Sequence, residues 1–280
     1  MSHHSSILRR PASILGLTLV LLQLIAILFA PMIAPYSPTE ANPLAALSPP
    51  SAEHWFGTDV TGMDIFSRVI YAARIDLLIG VGAVLAAFVI GVPTGAIIGF
   101  YNGPISKAIA RGFDFVQSFP IYVLGMALVA ITGQQIYNVS FVLAILFIPV
   151  FGRLVRADAL SLRERPFILA AKSSGAGNFY IIFRHLLPNA IDGAMVQVSI
   201  SIGMAILLTA GLSFIGAGVR MPIPEWGLMV SVGAQQMILG VWWVSVFPGL
   251  AIIVSVLSFA LVGDMVKSFT NKSVDSQGMI

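Results

Sequence analysis

Long uncharged apolar runs alternate with short charged segments along almost the whole of this 280-residue chain. No Asp, Glu, Lys or Arg occurs within 11–39, 77–106, 115–152, 193–219 or 226–263. A helix that crosses a bilayer needs about 20 mostly apolar residues. The run 115–152 is interrupted by the polar stretch 133–138, which reads as a tight turn between two spans. The run 226–263 opens with a mixed stretch and then offers one span. The pattern therefore predicts about six spanning helices, at 13–34, 77–100, 113–132, 139–159, 193–216 and 243–266. Backbone groups in hydrocarbon must be satisfied within the chain, so each run is expected to be helical. A membrane barrel would alternate polar and apolar positions with period two, and these runs do not. The expected fold class is an all-α membrane protein.

Between the first two runs the pattern changes. The segment 31–50, rich in Pro, Ala and Ser, reads as an irregular excursion. From Asp64 the apolar residues Phe66, Val69, Ile70, Ala73 and Leu77 recur at helical spacing. This predicts an amphipathic helix along the outer interface that feeds the second span, with an extension of the second helix into water as the alternative. Asp64 and Arg68, four apart, read as a surface pair. The second span holds Gly80, Gly82, Gly91, Gly95 and Gly99, which predict close helix packing, and Pro93, which predicts a kink.

Composition agrees with the pattern. The chain is 58% hydrophobic and 10% charged, against about 25% charged in a soluble domain. The net charge is +3, and its placement matters more than its size. Basic residues collect on one side of the predicted spans, from Arg9 and Arg10 to Lys267 and Lys272. Only Arg68, Arg74 and Arg220 fall on the other. Positive-inside bias then puts both termini in the cytoplasm. No basic face of the kind that grips nucleic acid is present. There is no cysteine, which excludes disulfides and Cys-based metal or redox sites. The first run is longer than a signal-peptide core and reads as a retained helix. The implied organisation is 1–34 as cytoplasmic N-terminus and first span, and 35–76 as extracytoplasmic loop and interfacial helix. A core follows at 77–268 with a cytoplasmic loop at 160–189, then a cytoplasmic tail at 269–280.

One segment breaks the rule of apolar runs and short connections. Residues 166–189 form a basic, helix-prone insert between the fourth and fifth spans. Pro166 suits a first helical position and Gly175 the left-handed residue past a helix end, which predicts a helix over 166–174. Phe167, Ala170, Ala171 and Ser174 share one face of it, and that face is mostly small. Arg163, Arg165 and Lys172 supply charge around it. Asn178 can cap a second helix that runs through Phe179, Ile182 and Phe183 to a stop or bend at Pro188.

This insert resembles the ATPase-docking loop of bacterial ABC importer permeases. That pattern reads Glu-Ala-Ala, three residues, Gly, nine residues, Ile, one residue, Leu-Pro. Ala170-Ala171, Gly175 and Leu187-Pro188 match it in register, while Leu169 stands in place of the Glu and His185 in place of the Ile. The region 54–76 is similar to the entry region of the second (C-type) permease of dipeptide, oligopeptide and nickel importers. It carries Gly57-Thr58-Asp59, Gly62-Met63-Asp64, Ser67-Arg68, Tyr71 and Ala73-Arg74. Leu212 to Gly216, Pro222, Pro224 to Gly227, Trp242-Trp243 and Phe247 to Gly249 resemble later parts of the same subfamily.

The resemblance implies the type I ABC importer permease fold in the bacterial inner membrane. It implies a second permease subunit, usually non-identical, two cytoplasmic ATPase subunits that carry ATP and Mg, and an extracytoplasmic substrate-binding protein. The ATPase-coupling interface it implies comprises Arg165, Pro166, Phe167, Leu169, Ala170, Ala171, Lys172, Ser174, Gly175, Leu187 and Pro188. The implied cargo is a di- or oligopeptide, with nickel as the alternative.

Other chemistry is sparse. No phosphate-cradling Gly-x-x-x-x-Gly-Lys-Ser/Thr sequence occurs, so no cofactor and no ATP hydrolysis are expected in this chain. His3, His4, His54 and His185 are too scattered to suggest a metal site. Asp114, Asp192 and Asp264 are expected at span ends near the headgroups. Gln117 and Gln197, inside predicted spans, are candidates to line a pathway or to hydrogen-bond between helices. Trp226, Trp242 and Trp243 are expected as anchors at the outer interface. A secondary transporter or channel would need mid-membrane carboxylates for its coupling ion. A membrane enzyme would need clustered Asp, His or Glu.

Overall fold

A computed structural model describes residues 11–277, with side chains through Phe269. The expectations for His3, His4, Arg9 and Arg10 fall outside the described residues, as does that for the Lys272 side chain. The long elements are α1 (Pro11–Ile33), α2 (Ile65–Tyr101), α3 (Pro104–Gln117), α4 (Ile121–Thr132) and α5 (Ile136–Leu162). A short α6 (Pro166–Ser173), α7 (Asn178–Tyr180), a π-helical turn (Ile181–Leu186) and α8 (Leu187–Ala190) follow. Then come α9 (Asp192–Phe214), α10 (Trp226–Ala234) and α11 (Trp243–Gln277). Among the described residues α1, α2, α5, α9 and α11 are long and apolar enough to cross a membrane, and the bent pair α3–α4 makes a sixth if counted as one span.

Four of the six expected helices appear within a few residues of their predicted bounds: α1, α5, α9, and the start of α11. The other two differ for physical reasons. The expected span 113–132 is two helices meeting at 96°. Pro120 causes the break: the residue before a proline is pushed out of the α region, and Pro120 itself is the extended N-cap of α4. The Ser118 hydroxyl closes the end of α3 by donating to the Phe115 carbonyl at 2.7 Å. The separate interfacial helix at 64–76 is also absent. These residues are the first third of one continuous helix that runs through Pro93. At 1.5 Å per residue its 37 residues span about 55 Å, well beyond a hydrocarbon core of about 30 Å. The tail expected from 269 likewise continues α11 as far as Gln277.

The core is built on α2 against α5, with α9 and α11 beside them. Gly91, Gly95 and Gly99, four apart on α2, let the two backbones touch. A β-carbon there would lie 2.7 Å from the Ile148 carbonyl oxygen, 2.5 Å from that of Gly152 and 2.6 Å from the Ala159 β-carbon respectively. This is the small-residue packing expected of the glycines.

α1 lies on the periphery, against α11 and α2. Pro31 has no N–H to give the carbonyl four residues earlier, and Arg74 of α2 takes that role. Its Nε donates to the Ile27 carbonyl at 2.6 Å. Gln23 adds a second tether, donating to Ser258 Oγ of α11 at 2.9 Å.

The N-terminal end of α2 sits in a cap made by the loop 34–64 and the loop between α9 and α10. Asp64 is its N-cap, accepting from the Ser67 N–H at 2.8 Å and meeting His54 Nδ1 at 2.9 Å. Arg68 is 1% exposed. It faces Asp59 at 3.6 Å and donates to the carbonyls of Pro38 (2.7 Å) and Pro222 (3.2 Å). Asp64 and Arg68 are thus not a surface pair; each is buried and serves a different partner. Gly62, with φ +77°, allows the chain to turn where a side chain would strike the Asn42 carbonyl. Trp226 is buried, not an interface anchor: its indole N–H donates to the Val69 carbonyl at 3.1 Å. Trp243 is buried too and donates to the Thr58 carbonyl, while Trp242 is exposed.

Overpacking of a tight interface costs about 1–3 kcal/mol. Gly95→Ala is therefore expected to lower the thermal midpoint of the purified protein. Gly112→Ala, which has open space beyond it, should not. Light-scattering or fluorescence melts in detergent would measure both.

Candidate functional site

At the end of the helices opposite that cap, residues 166–190 fold as an α-helix, a turn and a second helical stretch. Pro166 starts α6 and Arg165 is its extended N-cap. The end of α6 is closed by a Schellman arrangement: Ala176 N–H donates to the Ala171 carbonyl at 3.1 Å and Gly175 N–H to the Lys172 carbonyl at 3.0 Å. Gly175 takes φ +78°, the left-handed conformation expected of it. The helix 166–174 predicted from Pro and Gly bracketing is therefore present, one residue shorter.

One side chain decides how this helix sits. Ile168 is fully buried in the main core, with Ala171 half-buried behind it. The rest points away. Phe167 is 41% and Leu169 45% exposed; Arg165, Pro166, Ala170, Lys172, Ser174 and Gly175 are exposed as well. Lys172 lies over the Phe100 ring with Nζ 4.9 Å from its centroid. This links α6 to the far end of α2 through a cation–π contact. Arg163 pairs with its neighbour Glu164 at 3.0 Å, leaving Arg165 and Arg184 as exposed cations of the segment.

The second stretch does not stop at Pro188. It runs as α7, a π turn and α8 to Ala190. Pro188 is exposed and sits just inside α8, beyond the wider π turn. The π turn places Ile181, Ile182 and Leu186 in the core, and Leu187 packs partly against it. Phe179, in the second helical stretch with Ile182 and Phe183, is largely exposed and lies tilted against the Phe183 ring, 4.5 Å between centroids. His185, in the position of the pattern's Ile, lies against Tyr180 at 5.3 Å between ring centroids.

The anchors Ile168, Ile181 and Leu186 were not singled out by the sequence reading. Ile168 has apolar neighbours on both sides that are exposed, so composition does not single it out, and the π turn shifts the helical period for Ile181 and Leu186. The two glutamines are not brought to this segment. Gln117 is the exposed last residue of α3, at the elbow before α4, and accepts from Arg153 Nη1. Gln197, half-buried in α9, donates to Ser201 Oγ at 3.1 Å within its own helix.

Residues 91–275 match the family described as binding-protein-dependent transport system inner membrane component. This chain belongs to that family. Residues 6–50 match the N-terminal transmembrane domain of oligopeptide transport permease C. The dipeptide transport system permease protein DppC of Alkalihalophilus pseudofirmus is 44% identical over 252 residues, covering 90% of this chain and 83% of that protein. The probable D,D-dipeptide transport system permease protein DdpC of Escherichia coli is 38% identical over 92% of this chain and 86% of that one. The glutathione transport system permease protein GsiD of Pectobacterium atrosepticum is 42% identical over 77% and 71%. Inward-facing structures of the MetNI methionine ABC transporter include a chain that matches with TM-score 0.55 at 21% identity. That match covers 72% of this chain and 95% of the other, and it shows the fold of an ABC importer permease. The protein is a multi-pass permease subunit of the inner membrane.

Truncating a buried isoleucine to alanine costs about 2–5 kcal/mol. Ile168→Ala is expected to speed amide exchange across α6, as read by hydrogen–deuterium mass spectrometry. Phe167→Ala should leave that exchange unchanged, because its ring is already half in solvent.

Proposed function

We propose that this subunit moves peptides inward and is driven through residues 165–175 and 187–188 by ATPase subunits that bind ATP and Mg. The observation that carries the reading is the division of labour in α6. Ile168 fixes the helix to the core, while Phe167, Leu169 and Ala170 are left facing out. A helix held so firmly by one face transmits displacement to the bundle instead of folding away. Its contact with α2 at Phe100 and the continuous path through the π turn into α8 support two routes for that displacement. Leu169 makes the contact expected at its position apolar, where a carboxylate would have made it ionic.

The fifteen Lys and Arg residues and their bias to one side support a cytoplasmic position for residues 160–189 and for both termini. The cap around Asp64 and Arg68 then faces outward, toward an extracytoplasmic binding protein. A second permease subunit completes the pathway, and Gln117 and Gln197 remain candidates to line it. This chain contributes no catalytic group. ATP closure of the ATPase pair would move α6, and the bundle would shift between openings by differential affinity for its two states. The relatives named for dipeptides and glutathione support a short peptide as cargo, in preference to nickel.

Removal of two apolar anchors from an interface weakens it by about tenfold or more. The double variant Phe167→Ser, Leu169→Ser, co-expressed with the partner subunits, is expected to insert normally yet lose the ATPases on purification. It should also lose ATP-dependent dipeptide uptake in proteoliposomes. Retention of ATPases at the wild-type level would refute the coupling assignment. Nickel uptake without dipeptide uptake would refute the cargo.

A further inference from the structure

Where α10 begins, two acidic side chains meet in a place sealed from water. Asp76 on α2 and Glu225 at the N-cap of α10 are both fully buried. Glu225 accepts from the Gly227 N–H at 2.9 Å through Oε1 and from the Leu228 N–H at 2.7 Å through Oε2. Asp76 Oδ2 accepts from the Trp226 N–H at 3.1 Å. Asp76 Oδ1 has no donor, and the bond from Trp226 N–H seats the Asp76 carboxyl beside Glu225, the residue before Trp226. As two carboxylates they would offer one another only acceptors.

Among the described residues no cation pairs with them. α9 carries only Asp192, at its other end, and α10 carries no charged residue. α11 brings Asp264, Lys267, Lys272 and Asp275, all toward its far end. On α2, Arg68 is engaged by Asp59, Pro38 and Pro222, and Arg74 by the carbonyls of Ile27 and Leu28 beside the Tyr71 ring. Arg220, in the loop before α10, bonds Gln134. The Ser213 hydroxyl of α9 is also buried and has no hydrogen-bond partner. Two buried like charges without a counter-ion cannot both persist.

We propose that Asp76 and Glu225 form a proton-binding site, in which one proton shared between the two carboxyl groups fastens the start of α10 to α2. The proton supplies the donor that Asp76 Oδ1 lacks and leaves one negative charge, spread over backbone N–H groups at the helix N-terminus. Burial pushes the Glu225 carboxyl above its ordinary value, in the same direction. α10 packs on α9 and α11, so the shared proton is a catch on the end of the bundle opposite residues 166–190.

The sign of the pH effect follows. The folded state holds a proton that the unfolded chain releases in the ordinary carboxylate range. The catch is therefore complete in acid, and stability falls as pH rises through the raised titration of Glu225. Asp76→Asn replaces the proton with a permanent donor: its amide can donate to Glu225 while its oxygen still accepts from Trp226. The test uses the full chain in lipid nanodiscs, by infrared spectroscopy with 13C-aspartate and 13C-glutamate labelling and by melts from acid to alkaline pH. Wild type is expected to show a label-sensitive protonated-carboxyl stretch at neutral pH and a midpoint that drops as pH rises. Asp76→Asn should lack that stretch and melt at a midpoint less dependent on pH. Should Asp76→Asn fail to fold, Glu225→Gln supplies the donor from the other side at the loss of one capping bond, with the same expected spectrum. Absence of the stretch from wild type, or its persistence in a folded variant with an unchanged pH profile, overturns the proposal.

Discussion

Far from water every polar group must find its partner inside the chain, and that requirement explains how Pro31, Arg68, Arg74 and Glu225 are arranged. Pro31 deprives the Ile27 carbonyl of its helical donor, and Arg74 reaches across from α2 to replace it. Arg68, almost completely buried, is met by Asp59 and by two carbonyls from separate loops. Glu225 answers the first free N–H groups of α10. These satisfactions are also tethers. The Arg74 and Arg68 bonds to carbonyls, with those from Trp226 to Asp76 and Val69, join elements far apart in sequence and hold α1, the cap and α10 to α2.

α2 is the member on which both ends of the molecule converge. Its first turns are wrapped by the cap, its middle glycines lie against the α5 backbone, and its last turn lies beneath Lys172 of α6. A helix of about 55 Å cannot be contained in a hydrocarbon layer of about 30 Å unless it tilts or projects. Here it projects into a folded cap at one end and to the 166–190 segment at the other. Because close-packed helices shift as units more readily than they bend, a displacement of α6 has a short mechanical route to the cap.

The 166–190 segment combines firmness with accessibility. Its buried side chains, Ile168, Ile181, Ile182 and Leu186, come from both halves of the helical pair, so neither half can swing independently of the core. Its exposed side chains include large apolar groups that a lone soluble surface would ordinarily hide. The family to which the chain belongs is a transport-system membrane component, and the proposed coupling through this segment uses both properties.

How much of this was legible in the sequence depended on whether the signal was local. Hydropathy alone is enough for helices in α1, α5, α9 and α11, because a run of apolar residues in a membrane has no other way to satisfy its backbone. Pro166 and Gly175 marked the ends of α6, because φ preference belongs to the residue itself. The elbow at Pro120 was equally local but was masked by continuous hydropathy across it. What the sequence could not show was which residue meets which. Asp64 and Arg68 have the spacing of a surface pair, but the cap that buries them comes from loops whose path no period encodes. Trp226 has the composition of an interface anchor, yet the Val69 carbonyl draws it inside. The π turn moved Ile181 and Leu186 into the core by widening the helix. Asp76 and Glu225 come together only because α10 folds back onto α2, as the bond from Trp226 N–H to Asp76 across 150 residues of chain marks. The chain's own order of apolar and polar residues determined that it is a bundle of membrane helices with one protruding segment. Tertiary packing decided which polar groups are shielded from water and which partners they must therefore share.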